Sequence, residues 1–481
     1  MFVIPFTLLL FITILYYFYQ VNKYKVLDDY PGPTPLELIK FMLLPKSTTD
    51  TYEFFVSLSK KYGPVVKIWI KPFRPSLLVS DGKFVKNILL SKEHVNKTGY
   101  FGLLRTFVGD GLPLMSDISL WRQERKTFSH VFNNQFIIDY ISTFKTHAIK
   151  LSEAINENLN KPVDLQVLIL RHGLNIVYDL LLNEDISKQD DRVNRYMKSL
   201  RTFFGVYYDR INSPLKMIDS IFKLTENYKI WTNTSIESKK FIESTLKQVI
   251  ELKKNNTSGK SDRKDFVDLL LESNLSYDRI LENIRTLAVA GSDTVSASSG
   301  FALYELAKKP ELQEKIYQEY ISILGTDKNV CAEFRDIQQM TFTECVIKES
   351  LRLYPPVPFI FRALLNSTEI GGKIVPGDID IIFSIIDSHY SNFDDPAEFK
   401  PERFLPENAS NIPANAYFPF SLGPRDCIGK IVAIVESKFL LSYIIRNYTV
   451  HPIDDHQIDL CGEIVLTSKT GLPVIFKKRI N

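Results

Sequence analysis

The sequence predicts a mainly α-helical body with small β-sheets, preceded by a single N-terminal transmembrane helix. Three observations predict it. Residues Phe2 to Tyr19 form an uncharged run that is almost wholly apolar and aromatic. From about Lys83 to Gly325 apolar residues recur at helical spacing. Short runs rich in branched and aromatic residues, which favour strands, lie near the two ends of what remains.

Taken in order, the first run as a helix would span about 27 Å, the hydrocarbon thickness of the endoplasmic reticulum membrane. Tyr16, Tyr17 and Tyr19 would sit at the interface, with Lys23 and Lys25 just beyond it. No small-residue cleavage site follows, so residues 1–20 read as an uncleaved anchor and not as a removed signal. Positive charge only on the C-terminal flank directs the rest of the chain to the cytosol. Pro31, Pro33 and Pro35 stop the helix and stiffen the chain, which makes residues 21–35 a rigid hinge. Residues 36–481 then form one body. Within it, residues 65–70 and 77–79 are expected as strands. The polar stretch 253–264 reads as a loop between two long helices. Residues 277–309 form a long helix ended by Pro310, and residues 428–446 a last apolar helix. Residues 464–466 and 472–476 are expected to pair as a β-hairpin.

Composition narrows the function classes. The 481 residues are 45% apolar and 24% charged, an ordinary globular balance with ample material for a core. A net charge of +3 is too small to argue for nucleic acid. The four cysteines, Cys331, Cys345, Cys427 and Cys461, form no CxxC pair, which speaks against a zinc ribbon or a disulfide scaffold and fits a reducing compartment.

The segment that carries most chemistry is Phe420-Ser421-Leu422-Gly423-Pro424-Arg425-Asp426-Cys427-Ile428-Gly429. A lone cysteine is ordinarily a small buried hydrophobe. Here Gly423 allows a tight turn, and Gly429 leaves room for a group to approach the backbone. A helix beginning after Cys427 points its N–H groups toward the sulfur and favours the thiolate. The spacing FxxGxRxCxG resembles the haem-binding signature of the cytochrome P-450 family at every fixed position. That resemblance implies the cytochrome P-450 fold, with haem b held non-covalently and Cys427 as axial ligand of its iron. A thiolate ligand donates electron density that favours O–O cleavage. The family often carries Phe-Ala a few residues past the cysteine, where this chain has Val432-Ala433.

Three further motifs follow the family's order. Glu349 and Arg352 lie one helical turn apart, as in ExxR, and Pro401-Glu402-Arg403-Phe404 follows. The resemblance implies that Glu349, Arg352 and Arg403 form a buried charged network that holds the cysteine loop. Ala290-Gly291-Ser292-Asp293-Thr294 is similar to the distal-helix motif, in which distortion of the helix makes room for dioxygen. There Thr294 would hydrogen-bond the bound oxygen and Asp293 would relay protons, an arrangement suited to general acid catalysis. Trp121 and Arg125 resemble the WxxxR pair. With Arg362 and Arg425 they would meet the haem propionates. The resemblance covers essentially the whole chain and is nearest to animal microsomal members of the clan containing the fatty-acid ω-hydroxylases.

The implied activity is a monooxygenase that inserts one oxygen atom from O2 into a small apolar substrate such as a fatty acid, terpenoid, steroid or xenobiotic. Electrons would come from NADPH through NADPH-cytochrome P-450 reductase, with cytochrome b5 a candidate second donor. The expected location is the endoplasmic reticulum membrane, with the catalytic body facing the cytosol. Lys126, Lys430 and Lys438 would form the basic docking face. Pocket walls are expected from residues 100–114, Phe203 and Phe204, Ala290, residues 357–361 and Thr467. Two competing readings are a reductase-independent isomerase or dehydratase of the same fold, and a non-catalytic haem carrier. The Asp293-Thr294 pair argues against both, because neither needs a proton relay.

Overall fold

The structure, a computed structural model, describes residues 15, 19–20, 22–43, 47–71, 74–186, 190–213, 215–255, 265–327, 330–462 and 464–480. The expected anchor, residues 1–20, lies outside the described residues except for Leu15, Tyr19 and Gln20.

The helices that position the site are, in chain order, α1 (Pro35–Leu43), α2 (Thr48–Tyr62), α3 (Gly99–Val108), α4 (Ile118–Val131), α5 (Asn134–Asn156), α6 (Leu165–Leu182), α7 (Asp190–Ile211), α8 (Glu226–Asn255), α9 (Tyr277–Ala307), α10 (Pro310–Leu324), α11 (Thr341–Leu353), α12 (Ile385–Ser391) and α13 (Lys430–Asn447). Pro310 opens α10 at its first turn, where a missing N–H costs nothing. The expected loop 253–264 begins later than anticipated, since α8 runs to Asn255; residues 256–264 are outside the described ones.

Strands β1 (Val65–Lys71) and β2 (Arg74–Val79) form the expected antiparallel pair. They join β4 (Phe359–Ala363) and β7 (Asp380–Ser384) in a four-stranded sheet of order β1-β2-β7-β4, with β5 (Thr368–Ile370) and β6 (Lys373–Val375) as a separate hairpin. Every residue of β7 is buried, as a central strand requires.

The expected C-terminal hairpin does not form. Leu466–Ser468 (β10) pairs with Leu460–Gly462 (β9), whereas Pro473–Lys478 (β11) pairs with Pro162–Asp164 (β3) and Tyr448–Pro452 (β8). The reason is a competing partner. The chain leaves α13 directly into β8, and the long apolar run of β11 finds that strand and β3, not the segment next to it.

The hinge also differs from a free spacer. Tyr24, Leu27 and Tyr30 are buried with Leu77, Val79 and Phe383 in one cluster. The Tyr30 hydroxyl donates to the Ile370 carbonyl, and the Lys67 N–H donates to the Pro31 carbonyl at 2.9 Å. A Cβ at Gly32 would come within 2.0 Å of the Lys67 oxygen. The segment is therefore clamped onto β1.

Among the described residues one helix, α6, is long and apolar enough to cross a membrane, but 67% of it is buried inside the body. It packs along α9, and two glycines bring the pair close. A Cβ at Gly173 would meet Ser296 Oγ at 2.4 Å, and one at Gly291 would meet Val177 at 3.0 Å.

Candidate active site

Helix α9 crosses the body and is almost wholly buried. Near its middle the residues with accessible surface are Ala290, Gly291, Thr294 and Ala297. Positions 290, 294 and 297 share one helical face, so this stripe faces an internal space. The Thr294 hydroxyl donates to the Ala290 carbonyl at 2.7 Å, and Ser292 donates to Ala288 at 2.7 Å. Such back-bonds tend to bend a helix, yet α9 is continuous from Tyr277 to Ala307.

Asp293 lies about 100° around the helix from Thr294 and points elsewhere. One of its carboxylate oxygens pairs with Arg201 of α7 at 3.4 Å, and the other is buried without a hydrogen-bond partner. Burial pushes its pKa up, and the Arg201 charge opposes that. Both residues line a cavity of about 20 Å³, with Gln166, Ser296 and Thr467. That is room for a water molecule beside the orphaned oxygen. Arg201 was not foreseen from sequence, because no local pattern links residues 92 positions apart.

The cysteine loop is closed by its own backbone. Cys427 N–H donates to Phe420 O at 2.9 Å, Ser421 to Phe418 O at 2.9 Å and Asp426 to Gly423 O at 3.0 Å. Gly423 has φ +73°, and a Cβ there would lie 2.0 Å from Leu89 O, so only glycine fits. At Gly429 no protein atom lies within 4 Å of such a Cβ. The group that its small size admits is not part of the protein. The Cys427 thiol is accessible although protein mass closes around it, so it faces an interior hollow.

The expected pull toward the thiolate is present, and burial opposes it. Burial raises the Cys427 pKa, while the Gly429 N–H, Arg125 and Lys430 act the other way, and the net direction is upward. Coordination to a metal would favour the thiolate further.

Around the loop gather cations that, among the described residues, have no acid paired to them. Arg425 stacks on the buried Trp121 ring at 4.0 Å and donates to the carbonyls of Val95, Leu112 and Met115. Arg362 on β4 is buried and donates to Phe361 O and Ser421 Oγ. Burial holds the pKa of Arg362 down to about 10 and, with Arg362 and Arg125 nearby, that of Arg425 down to about 9. Lys97, which sequence reasoning missed, is pushed well below its usual range by burial and then by Arg362 and Arg425. Like charges held together in a low-dielectric interior require an anion. The two propionates of a haem supply it, and a thiolate with an accessible hollow beside it suits the iron, so the residues present fit this group.

One expectation at this site changes, that for Phe203 and Phe204. Arg125 comes to the loop, where it donates to Asp426, at 2.6 Å to the carboxylate and 2.8 Å to the carbonyl. It braces the residue before the cysteine. Phe203 and Phe204 are buried in the core, where Phe203 stacks on Phe107 at 4.6 Å and meets Trp231 at 4.4 Å. They are not accessible pocket walls. Phe101 and Phe361 are half-buried and meet edge to face at 5.2 Å.

Behind the loop, Glu349 and Arg352 are both fully buried and paired through two 2.8 Å bonds. Arg403 reaches Glu349 at 3.3 Å. Arg352 also donates to Pro396 O and Glu398 O, and Arg403 to Asp395 O. These bonds run to residues 395–400 and not to the cysteine loop itself. Finally, Lys126 and Lys430 are exposed, but Lys438 is 2% exposed and pairs with Glu344 at 3.0 Å. Lys438 is therefore not part of a docking face: about two helical turns beyond Lys430 on α13, it points into the body.

Comparison with known proteins agrees with this geometry. The cytochrome P450 family model matches residues 30–474. Cytochrome P450 4c3 of Drosophila melanogaster is 30% identical over 98% of this chain and 94% of its own length. Cytochrome P450 4c21 of Blattella germanica is 30% identical over 97% and 96%. Cytochrome P450 4V2 of Mus musculus is 29% identical over 87% and 83%. A glycine-gated cysteine loop, buried cations that need an anion and near full-length similarity of this kind lead to one conclusion: the chain belongs to the cytochrome P450 family and is a haem-dependent monooxygenase of that family.

Proposed function

We propose that Cys427 is the axial thiolate of haem b and that Lys97, Arg362, Arg425 and Trp121 hold the propionate side. The observation that carries this is the group of cations Lys97, Arg362 and Arg425 beside an accessible cysteine, with no acid paired to them among the described residues. The bound haem supplies reductive activation of dioxygen. The rest is work for the chain. Thr294 offers a hydroxyl on the accessible face of α9, and Asp293, on a different face of the same helix, holds a carboxylate at a water-sized cavity. An alcohol and a buried acid are the groups that inward proton delivery needs. This favours oxygen insertion over the reductase-independent isomerase or dehydratase reading. The haem is bound non-covalently, since Ala290 presents a methyl group and no carboxylate.

The substrate is a small apolar molecule, in keeping with apolar lining such as Phe101, Phe361 and Ala297. Electrons come from NADPH through NADPH-cytochrome P-450 reductase, with cytochrome b5 as a second donor, docking by way of Lys126 and Lys430. Residues 1–20 anchor the protein in the endoplasmic reticulum membrane with the body toward the cytosol. In support, Leu215, Ile218, Ile221 and Leu224 are exposed apolar residues of the segment that follows α7.

The test is the carbon monoxide difference spectrum of the reduced protein. A strongly red-shifted Soret band is expected for the wild type and for Cys331→Ala, Cys345→Ala and Cys461→Ala, and no such band for Cys427→Ala. Retention of the band in Cys427→Ala would overturn the assignment.

A further inference from the structure

The charged pair Glu349–Arg352 and the cysteine loop are both ordered, yet the salt-bridge network does not touch the loop. Its bonds end at residues 395–400. Something else must join the end of α11 to the segment from which Cys427 hangs.

His389 occupies that place. It is fully buried near the end of α12, which packs against α11. Its Nδ1 lies 3.1 Å from the carbonyl oxygen of Arg352. Its Nε2 lies 3.2 Å from the backbone nitrogen of Phe418, which donates. These two neighbours fix the ring's state. A carbonyl can only accept, so Nδ1 carries the proton. An N–H can only donate, so Nε2 must be bare. An imidazolium could not serve here, because its Nε2–H would face another N–H. Burial lowers the His389 pKa to about 3, against a smaller opposing effect of the Arg352 carbonyl, which keeps the ring neutral.

The segment that His389 holds leads straight to the cysteine. Phe418 O accepts from Ser421 N–H, and Phe420 O accepts from Cys427 N–H. A second tether runs beside the first: the Tyr417 hydroxyl donates to Lys348 O at 3.0 Å, and its ring stacks on His389 at 5.2 Å. Residues 417 and 418 are thus tied to both ends of the Lys348–Arg352 turn. Asp387, on the same short helix, is satisfied by Ser384 and does not compete for the ring.

We propose that His389 is a positioning residue for the reaction: as a neutral imidazole protonated on Nδ1, it bridges the Arg352 carbonyl to the Phe418 N–H and so sets the start of the loop that presents Cys427. The inference rests on Cys427 being the iron's ligand. The measurements below read His389 and Phe418 themselves, so they fail separately from that reading.

A glutamine amide offers one donor and one acceptor at nearly the spacing of the two ring nitrogens. It should rescue the bridge; phenylalanine fills the space but makes neither bond. In full-length protein, the backbone exchange of the peptide spanning residues 415–428 should be about tenfold faster in His389→Phe than in wild type. His389→Gln should remain within about threefold. The carbon monoxide spectrum should follow the same order, with the thiolate band partly replaced by the band of protonated or lost thiolate in His389→Phe and largely retained in His389→Gln. Equal impairment of the two variants, or wild-type protection in His389→Phe, overturns the proposal, because packing alone would then explain the residue. Should His389→Phe not fold, the wild type decides: nitrogen shifts of isotope-labelled histidine must show one buried ring with Nδ1 protonated and Nε2 bare, and an Nε2–H tautomer or an imidazolium overturns it.

Discussion

The two sides of the site are built by different means. On the cysteine side the chain holds itself with backbone hydrogen bonds over a few residues, from Phe418 to Cys427, and with glycine where a Cβ would strike Leu89. On the side of α9 the working groups are single side chains on a long buried helix. Their surroundings come from α6, α7 and the turn at Thr467, which are remote in sequence. The first kind of construction tolerates little change and leaves a readable motif. The second allows the walls to vary while the helix stays.

Variants that break the comparison should therefore cost most on the cysteine side. Glu349→Gln leaves Arg352 and Arg403 buried with their shared carboxylate gone. Removing one partner of a buried pair costs roughly 3–5 kcal/mol. We expect loss of most haem incorporation and a clear fall in thermal stability, read from the ratio of haem to protein absorbance and from melting. A variant that keeps full haem content would show that the pair is dispensable.

On the α9 side the same kind of truncation should spare the fold. Thr294→Ala removes a hydroxyl already bonded to its own helix. Haem content and melting should stay as in wild type, while product per NADPH drops by about a hundredfold, the low end of what proton transfer supplies, and hydrogen peroxide rises. Unaltered coupling would remove Thr294 from the proton path.

Arg201→Gln sharpens the contrast through pH. Burial raises the Asp293 pKa and Arg201 opposes this, so the variant raises it further. A carboxyl with a folded pKa above its unfolded value stabilises the fold below the unfolded pKa, and that stability is lost as pH rises through the folded pKa. Arg201→Gln should thus melt increasingly below wild type from acid toward neutral pH, and adding Asp293→Asn should abolish the difference. Parallel melting curves at all pH values would mean that the pair is uncoupled.

The smallest effects are expected at the surface. Lys126→Glu should slow electron delivery by the reductase a few-fold at low salt and less at high salt, as screening predicts. Lys438→Glu should act differently, lowering stability by placing two acids together beside Glu344, with no special salt dependence. Equal salt dependence in both would undo that distinction.

The sequence by itself determined the fold class, the run of the long helices and the identity of the cysteine loop. Those features rest on local rules: helical periodicity, proline at a helix start, and glycine where φ is positive. It also set Glu349 and Arg352 one helical turn apart, where they pair, while the place of Arg403 beside them was implied by the family resemblance. Tertiary structure alone decided the rest. Lys97 and Arg201 joined the site from distant segments, Arg125 turned to Asp426, Lys438 turned inward to Glu344, and β11 chose β8 over its neighbour. Phe203 went to the core because Phe107 and Trp231 were there to receive it. Each of these is a choice of partner. A partner hundreds of residues away leaves no periodic trace, so burial and charge pairing settle it only once the chain has packed.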